Sequence, residues 1–295
     1  MSVPLSFVRH QLPMLNAIGR TAAAAVRHRV QPPRGTPPLP GPLLTARVPP
    51  RDPILVDAFL EHVGSPAGTW DGALPPHFFP QWVFPLLSRA LEGLPYPPLG
   101  MLNGGCRLVI NKPLPMGEAL DIEVQLTDIV DDGRLAIITE RCVTGTTSAP
   151  NALEIEFHPI ARLASKGRSK ASEAPKKDKP IVPLGAREIG HWKLSARAGL
   201  EFALLTGDFN PIHWIPAAAR AAGFKSTILH GFASMTRVVE ALVQGDGARL
   251  GELDVRFVKP LVLPAEVGAY VEGDAVYVGE RPGAEANMTG HFGLR

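Results

Sequence analysis

A short tripeptide recurs one domain length apart and constrains how the whole chain can fold. The Lys-Pro-Leu at residues 112–114 returns at residues 259–261. Each copy follows a strand-like pattern, lies downstream of an apolar helical segment and precedes another strand-like pattern. A repeat of this length is typical of a duplicated domain, because solenoids and propellers repeat roughly every 20–50 residues. We therefore expect two similar domains packed side by side, like a homodimer fused into one chain.

A β-hairpin in the first domain indicates its class. Apolar and polar residues alternate over 120–126, as in an antiparallel strand with one buried face. Asp132-Gly133 is a strong hairpin turn, and residues 135–143 supply the return strand. An apolar helix, predicted to begin at Pro85, precedes these strands. A long helix wrapped by a curved antiparallel sheet predicts an α+β fold.

The composition excludes several classes of protein. The 295 residues fit two domains of ordinary size, and 45% apolar residues suffice for sizeable cores. A formal net charge of +2 does not favour a nucleic-acid partner. No run reaches the roughly 18 apolar residues that a membrane span needs. Cys106 and Cys142 fall in strand-like segments without metal-ligand spacing, so we expect buried free thiols, no metal and a cytoplasmic location.

Two segments outside these patterns divide the chain. Residues 1–50 combine an Arg-rich, acid-poor start with a proline-rich stretch. We expect a helix packed on the body and then an extended tether, in preference to a transit peptide. Residues 164–180 are Lys-rich and indicate a solvated linker, with a docking patch for an acidic carrier protein or for the phosphates of coenzyme A as the alternative. The predicted domains are therefore 51–163 and 181–295.

A compact turn at residues 205–213 brings groups capable of acid–base chemistry close together. Asp208, Asn210 and His213 lie within six positions, and Gly207 and Pro211 shape the backbone around them. A carboxylate can hold a water or abstract a proton, and an imidazole can transfer a proton near neutral pH. The structural alternative is an Asx-type turn in which the aspartate caps the Ala-rich helix that follows.

The turn and the residues after it form a longer motif. Together with Gly223-Phe224 and His230-Gly231, residues 206–213 resemble the hydratase-2 motif of the MaoC-like dehydratases. Two positions depart from the family pattern: Ile215 stands where an acidic residue is common, and Thr227 where proline is common. Neither departure touches the acid–base residues.

The first half resembles the N-terminal half of double-hot-dog members of this family, through segments at 74–76, 84–86 and 111–114. The resemblance implies two tandem hot-dog domains that reversibly add water to trans-2-enoyl thioesters, giving (3R)-hydroxyacyl thioesters. The first half has no counterpart of the acid–base motif. We therefore expect catalysis in 181–295 and a non-catalytic domain at 51–163 that shapes a tunnel for the acyl chain.

Hydration chemistry suggests a role for each residue of the motif. Asp208 and His213 are expected to hold the water for C3 and pass the protons, with Asn210 orienting the dyad or the water. The backbone N–H of Gly231, at the start of an apolar helix, is the expected donor to the thioester oxygen. His230 either takes part in this site or packs at the helix start.

Several expectations concern what lies outside the motif. His77 stands beside prolines and aromatic residues without an acid at motif spacing, so we expect a packed or solvent-facing side chain and no catalytic role. The proposed activity needs no cofactor, since coenzyme A or an acyl carrier protein carries the substrate thioester. The sequence does not decide whether the whole chain also forms a homodimer. The alternative functions are a non-catalytic acyl-thioester-binding protein and a hot-dog thioesterase.

Overall fold

The computed structural model describes residues 3–31, 33, 35, 37–96, 101–163, 179–246 and 249–295. The helices are α1 (Leu12–Val30), α2 (Pro53–Val63), α3 (Pro80–Ala90), α4 (Ala198–Thr206), α5 (Pro216–Ala221) and α6 (Gly231–Asp246). The strands of the first half are β1 (Leu44–Val48), β2 (Ala73–Leu74), β3 (Leu102–Ile110), β4 (Leu114–Pro115), β5 (Leu120–Asp131), β6 (Leu135–Gly145) and β7 (Leu153–Arg162). Those of the second half are β8 (Arg187–Leu194), β9 (Leu250–Phe257), β10 (Ala265–Glu272), β11 (Ala275–Gly279) and β12 (Ala286–Leu294).

Ten of these strands form one antiparallel sheet with an internal two-fold order. The strands run β1-β5-β6-β7-β3-β9-β12-β11-β10-β8, so the sheet presents corresponding strands when followed from either end. The halves meet where β3 pairs with β9, with Cys106 opposite Val255. Helix α3 packs on β1, β5 and β6, and helix α6 packs on β8 and β9. Each half is thus an antiparallel sheet around one helix, as the duplicated sequence predicts.

The repeated tripeptide occupies equivalent places in the two halves. It begins two residues after the end of β3 in one half and two residues after the end of β9 in the other. The N–H groups of the two residues that follow β3 both donate to the carbonyl of Ala152, and those that follow β9 both donate to the carbonyl of Asn287. The repeat therefore marks a shared connection at the end of each central strand.

The local signals place several elements correctly. The predicted hairpin is confirmed as β5 and β6, with Gly133 at φ 79° in the turn. The side chain of Asp132 accepts hydrogen bonds at 2.8 Å from the N–H groups of Arg134 and Leu135, which fixes this turn. The free thiols of Cys106 and Cys142 are buried, as expected.

Two local predictions are wrong in their bounds. The helix predicted from Pro85 begins at Pro80, and Pro85 lies inside it. Burial of Trp82, Val83 and Phe84 along α3 outweighs the backbone hydrogen bond that the internal proline removes. The stretch predicted as a tether also contains β1, because residues 44–48 lack proline and pair with β5 at the edge of the sheet.

The N-terminal segment lies against both halves. A 3-10 turn, Leu5–Gln11, leads directly into α1. The turn contacts α4 of the second half, and α1 contacts α3 of the first. None of the described helices, including α1, is long and apolar enough to cross a bilayer. Residues 164–178 of the predicted linker lie outside the described residues, and the domain bounds stay a prediction.

Candidate active site

The turn at residues 205–213 is formed by the end of α4 and a short 3-10 turn. Gly207 ends the helix in the left-handed conformation at φ 86°, and its N–H donates to the carbonyl of Ala203 at 2.8 Å. Pro211 then opens the 3-10 turn Pro211–His213, whose N-cap is Asn210. The side-chain oxygen of Asn210 accepts from the N–H of Ile212 at 3.4 Å. The chain therefore reverses sharply between two fixed ends.

Asp208 does not cap the helix that follows. The N-cap of α5 is Ile215, which has no side-chain capping bond. The carboxylate of Asp208 instead accepts from the N–H of Asn210 at 3.4 Å, inside the turn. The capping alternative is therefore wrong, although the local contact is of the Asx type.

Asp208, His213 and His230 form one compact cluster. The Nδ1–H of His213 donates to the carbonyl of Ile228 at 2.8 Å, and the Nε2–H of His230 donates to the backbone carbonyl of Asp208 at 2.9 Å. The two imidazole rings stack with centroids 3.6 Å apart and an angle of 26° between their planes. Because each neutral ring donates through one nitrogen, Nε2 of His213 and Nδ1 of His230 carry the lone pairs.

Burial governs the charges of this cluster. It raises the pKa of Asp208 above its usual value, although the nearby charge of His213 opposes the shift. Burial lowers the pKa of His213, and it lowers that of His230 further, aided there by His213. The two rings are therefore neutral at pH 7, and His213 offers an unprotonated nitrogen to an incoming proton.

A cavity of about 430 Å³ opens onto the cluster and is lined by both halves of the chain. From the second half come Asp208, Asn210, His213 and Gly231. The first half contributes an apolar wall that includes Phe84, Leu87, Leu91, Leu135, Phe157 and Ile160. The acid–base groups thus come from one half and a largely apolar wall from the other, which suits a ligand with one reactive end and a hydrocarbon chain.

Gly231 is the first residue of α6 and borders this cavity. The N–H groups in the first turn of a helix have no partner within the helix, so they are available to a ligand oxygen. A β-carbon added at Gly231 would lie 2.6–2.7 Å from ring carbons of Phe257. The glycine therefore also serves the close packing of Phe257, a reason that the sequence does not reveal.

The side chain of His77 is packed, one of the two placements expected, but it has an acid partner that the sequence does not indicate. Its side chain is fully buried, and its Nε2 lies 3.0 Å from a carboxylate oxygen of Glu240 on α6. The indole N–H of Trp70 donates to the same oxygen at 2.9 Å. The acid partner is supplied by the other half of the chain, so local spacing could not reveal it. His77 is not among the residues that line the cavity of the cluster.

Two residues near the N-terminus reach the site and were missed by the sequence analysis. Gln11 bonds to the end of α4, and Met14 lines the cavity beside Asp208. No motif marks either residue. A weak signal was available, since a helical segment predicted to pack on the body must bury some of its side chains.

Asp208, His213 and His230 could also be considered as ligands for a metal ion. Their ligand atoms all lie within 4.8 Å of one another, and no other group of acids, thiols and imidazoles in the described ranges is as close. Metal ions bind imidazole nitrogens in the plane of the ring. Rings stacked face to face do not direct their in-plane lone pairs to one point, so this arrangement suits proton transfer better than metal binding.

Comparison with known proteins bears on the second half most directly. Residues 191–289 match the protein family described as MaoC like domain. The curated relatives include 3-hydroxyacyl-thioester dehydratase X of Mycobacterium tuberculosis, 26% identical over 197 residues, which are 65% of this chain and 67% of that protein. They also include a probable enoyl-CoA hydratase 2 of Dictyostelium discoideum, 26% identical over 194 residues, 63% of this chain and 65% of that protein. The chain thus aligns with about two thirds of the length of each relative.

Solved structures bear on the fold. The crystal structure of HtdX of M. tuberculosis superposes with a TM-score of 0.68 at 20% identity, covering 85% of this chain and 99% of that one. Another M. tuberculosis protein, described as having a double hotdog fold, has a TM-score of 0.53 at 10% identity, covering 86% and 96%. The predicted fold of two tandem α+β hot-dog domains is therefore confirmed.

Proposed function

Residues 191–289 are a MaoC-like dehydratase domain, and from this we propose that the protein reversibly adds water to trans-2-enoyl thioesters, giving (3R)-hydroxyacyl thioesters. The names of the two curated relatives, a hydroxyacyl-thioester dehydratase and an enoyl-CoA hydratase, support this reaction class. The observation that carries the proposal is the meeting of Asp208, His213 and the N-terminus of α6 on one cavity.

Hydration needs a base for water and an acid for C2. The water oxygen bonds to C3, one water proton passes to the dyad, and C2 receives a proton from the dyad. The lone pair on Nε2 of His213 and the carboxylate of Asp208 are the groups at this cavity that exchange protons. Low-polarity surroundings favour neutral forms of both groups, which brings their proton affinities closer together and eases transfer in both directions.

Negative charge develops on the thioester oxygen between these two proton transfers. The N–H of Gly231 is the proposed donor to that oxygen, because a helix N-terminus presents fixed, unpaired N–H groups. Asn210 holds the 3-10 turn through its side chain and lines the cavity, so we propose that it orients His213 or the water. His230 fixes the backbone of Asp208 through its hydrogen bond and stacks on His213.

The apolar wall from the first half is proposed to receive the acyl chain. Its residues lie on α3, just after it at Leu91, and on β6 and β7, while Asp208 and His213 lie in the turn after α4. This arrangement supports a division of roles in which the first half contributes shape and the second half contributes chemistry. The identity of the carrier, a further homodimer, the lack of a cofactor and a cytoplasmic location stay predictions.

The decisive experiment is a spectrophotometric assay with enoyl-CoA thioesters of several chain lengths. The hydratase consumes the enoyl absorbance without releasing thiol, and the variant Asp208→Asn is the background control. Release of thiol would identify a thioesterase instead. Binding of acyl-CoA with unchanged absorbance would identify a non-catalytic binding protein.

A further inference from the structure

We propose that two side chains of the N-terminal segment belong to the active site: Gln11, at the end of the 3-10 turn Leu5–Gln11, as a positioning residue for the turn that carries Asp208, and Met14, on α1, as part of the cavity wall. The segment lies outside the matched domain of residues 191–289. The kinetic consequences of this role rest on the proposed hydratase function, while the structural consequences do not.

Gln11 holds the last turn of α4. It is 1% exposed, and its Nε2 donates to the carbonyls of Leu204 and Leu205 at 3.0 Å each. The last carbonyls of a helix lack intrahelical partners, so a side-chain donor there fixes the helix end. Leu205 stands three residues before Asp208 in the sequence. A shift of the helix end therefore passes directly into the catalytic turn.

Gln11 is itself held by the first half. The side-chain amide of Gln81, near the start of α3, lies 3.4 Å from the side-chain oxygen of Gln11. Arg51 donates to the oxygen of Gln81 at 2.9 Å. A chain of hydrogen bonds thus connects the helix that carries the apolar wall with the turn that carries the acid–base groups. A buried amide with such partners specifies one arrangement, whereas an apolar side chain would fill the space without directing it.

The same segment also packs against the turn and lines part of the cavity. A β-carbon added at Gly207 would lie 3.0 Å from the side-chain oxygen of Gln11 and 3.0 Å from Cβ of Met14. Met14 also lines the cavity that Asp208 lines. The N-terminal segment therefore packs closely against the turn at Gly207, and its Met14 side chain forms part of the cavity wall.

The test compares Gln11→Met with Leu12→Met in the full chain. Methionine matches glutamine in length but cannot donate, and Leu12, 61% exposed, gives a control with the same new residue next to it. Three quantities are measured: kcat and KM with enoyl-CoA thioesters, the melting temperature, and the hydrogen-exchange rates of the backbone amides of residues 206–210 without substrate.

We expect Gln11→Met to lower kcat by roughly 10- to 100-fold, because displacing a catalytic group by about 1 Å can lower the rate by about that factor. KM should change less than kcat, and the amides of the turn should exchange faster. Leu12→Met should match the wild type in all three. Gln11→Asn, which keeps an amide but shortens it, serves if Gln11→Met does not fold, and it should show the same losses to a smaller degree.

A folded Gln11→Met protein with wild-type kcat and wild-type exchange at the turn would overturn the inference. A uniform loss of exchange protection across the protein, with kcat unchanged per folded molecule, would also overturn it, since this would show a general stabilising role only. If the wild type hydrates no enoyl thioester, the proposed function fails. The exchange measurement still decides whether Gln11 holds the turn.

Discussion

The imidazole of His213 stacks on that of His230 at a centroid distance of 3.6 Å, and the two rings donate to different backbone carbonyls. The stack fixes the plane of His213, while its Nδ1 bond to Ile228 fixes the tautomer. Both constraints act on the ring whose Nε2 is proposed to exchange protons, so this ring is oriented before a substrate arrives.

Loss of either member of the dyad should remove most of the activity. We expect Asp208→Asn and His213→Ala each to lower turnover by roughly 10²- to 10⁴-fold, the usual contribution of a general acid–base group. Asp57→Asn, on the exposed side of α2, is the matched control for the aspartate. Near-normal turnover by either dyad variant on a good substrate would contradict the assignment.

The role of Gly231 can be separated from its packing against Phe257. Gly231→Ala should lower the melting temperature, because the new β-carbon meets the Phe257 ring. Combining Gly231→Ala with Phe257→Leu should recover much of that loss by making room. If the backbone N–H of Gly231 is the oxyanion donor, the double variant should also turn over faster than Gly231→Ala alone.

If the double variant regains stability and yet turns over as slowly as Phe257→Leu alone, the slow turnover comes from the loss of the Phe257 ring and not from Gly231. Phe257→Leu is therefore measured in parallel, and kcat is expressed per folded molecule.

We expect His77 and Glu240 to stabilise the fold and to have no part in catalysis. Removing one member of a buried pair typically costs about 3–5 kcal/mol because the other member is left unpaired. Burial alone would raise the pKa of Glu240, yet contacts with His77 and Trp70 hold it below its usual value. His77→Ala should therefore destabilise the protein while leaving turnover per folded molecule largely intact.

A double-variant cycle with Glu240→Gln checks this pairing. The combined loss of stability should be smaller than the sum of the two single losses. A loss of turnover in His77→Ala as deep as in His213→Ala would instead place catalysis in the first half.

His62 should make the protein less stable in acid. Burial, followed by the nearby charge of Arg237, lowers the pKa of His62 from 6.5 to about 3. Between these values the unfolded chain binds a proton that the folded chain does not, so the free energy of unfolding falls with falling pH by about 1.4 kcal/mol per pH unit from this group. His62→Gln, which cannot titrate, should show a shallower fall between about pH 6 and pH 4.

The measurement is urea unfolding at several pH values for the wild type and His62→Gln. The two proteins should differ in slope below pH 6.5 and run parallel above it. Identical slopes through the acid range would contradict the lowered pKa of His62.

The sequence predicts what is encoded locally. The hairpin at Asp132-Gly133 depends on residues next to one another, as does the turn at Gly207 and Pro211. The start of α6 at Gly231 follows from apolar spacing. Each of these is set by backbone preferences and periodicity, which one stretch of sequence contains in full.

Contacts between distant parts of the chain could not be predicted in this way. The partner of His77 is Glu240, and the partners of Gln11 are carbonyls of α4; neither pair shares a local pattern. The close approach of Phe257 to Gly231 is likewise a product of tertiary packing. Contacts of this kind join residues far apart in the sequence, and only the folded arrangement identifies them.

The pairing of β3 with β9 has a consequence for how the protein behaves on dilution. When two separate subunits form such a sheet, they dissociate once the protein concentration falls below the dissociation constant, and the cavity between them is lost. Here both walls belong to one polypeptide, so a fixed effective concentration keeps them together. Specific activity should therefore be independent of protein concentration, and each wall is free to change its residues without imposing the same change on the other.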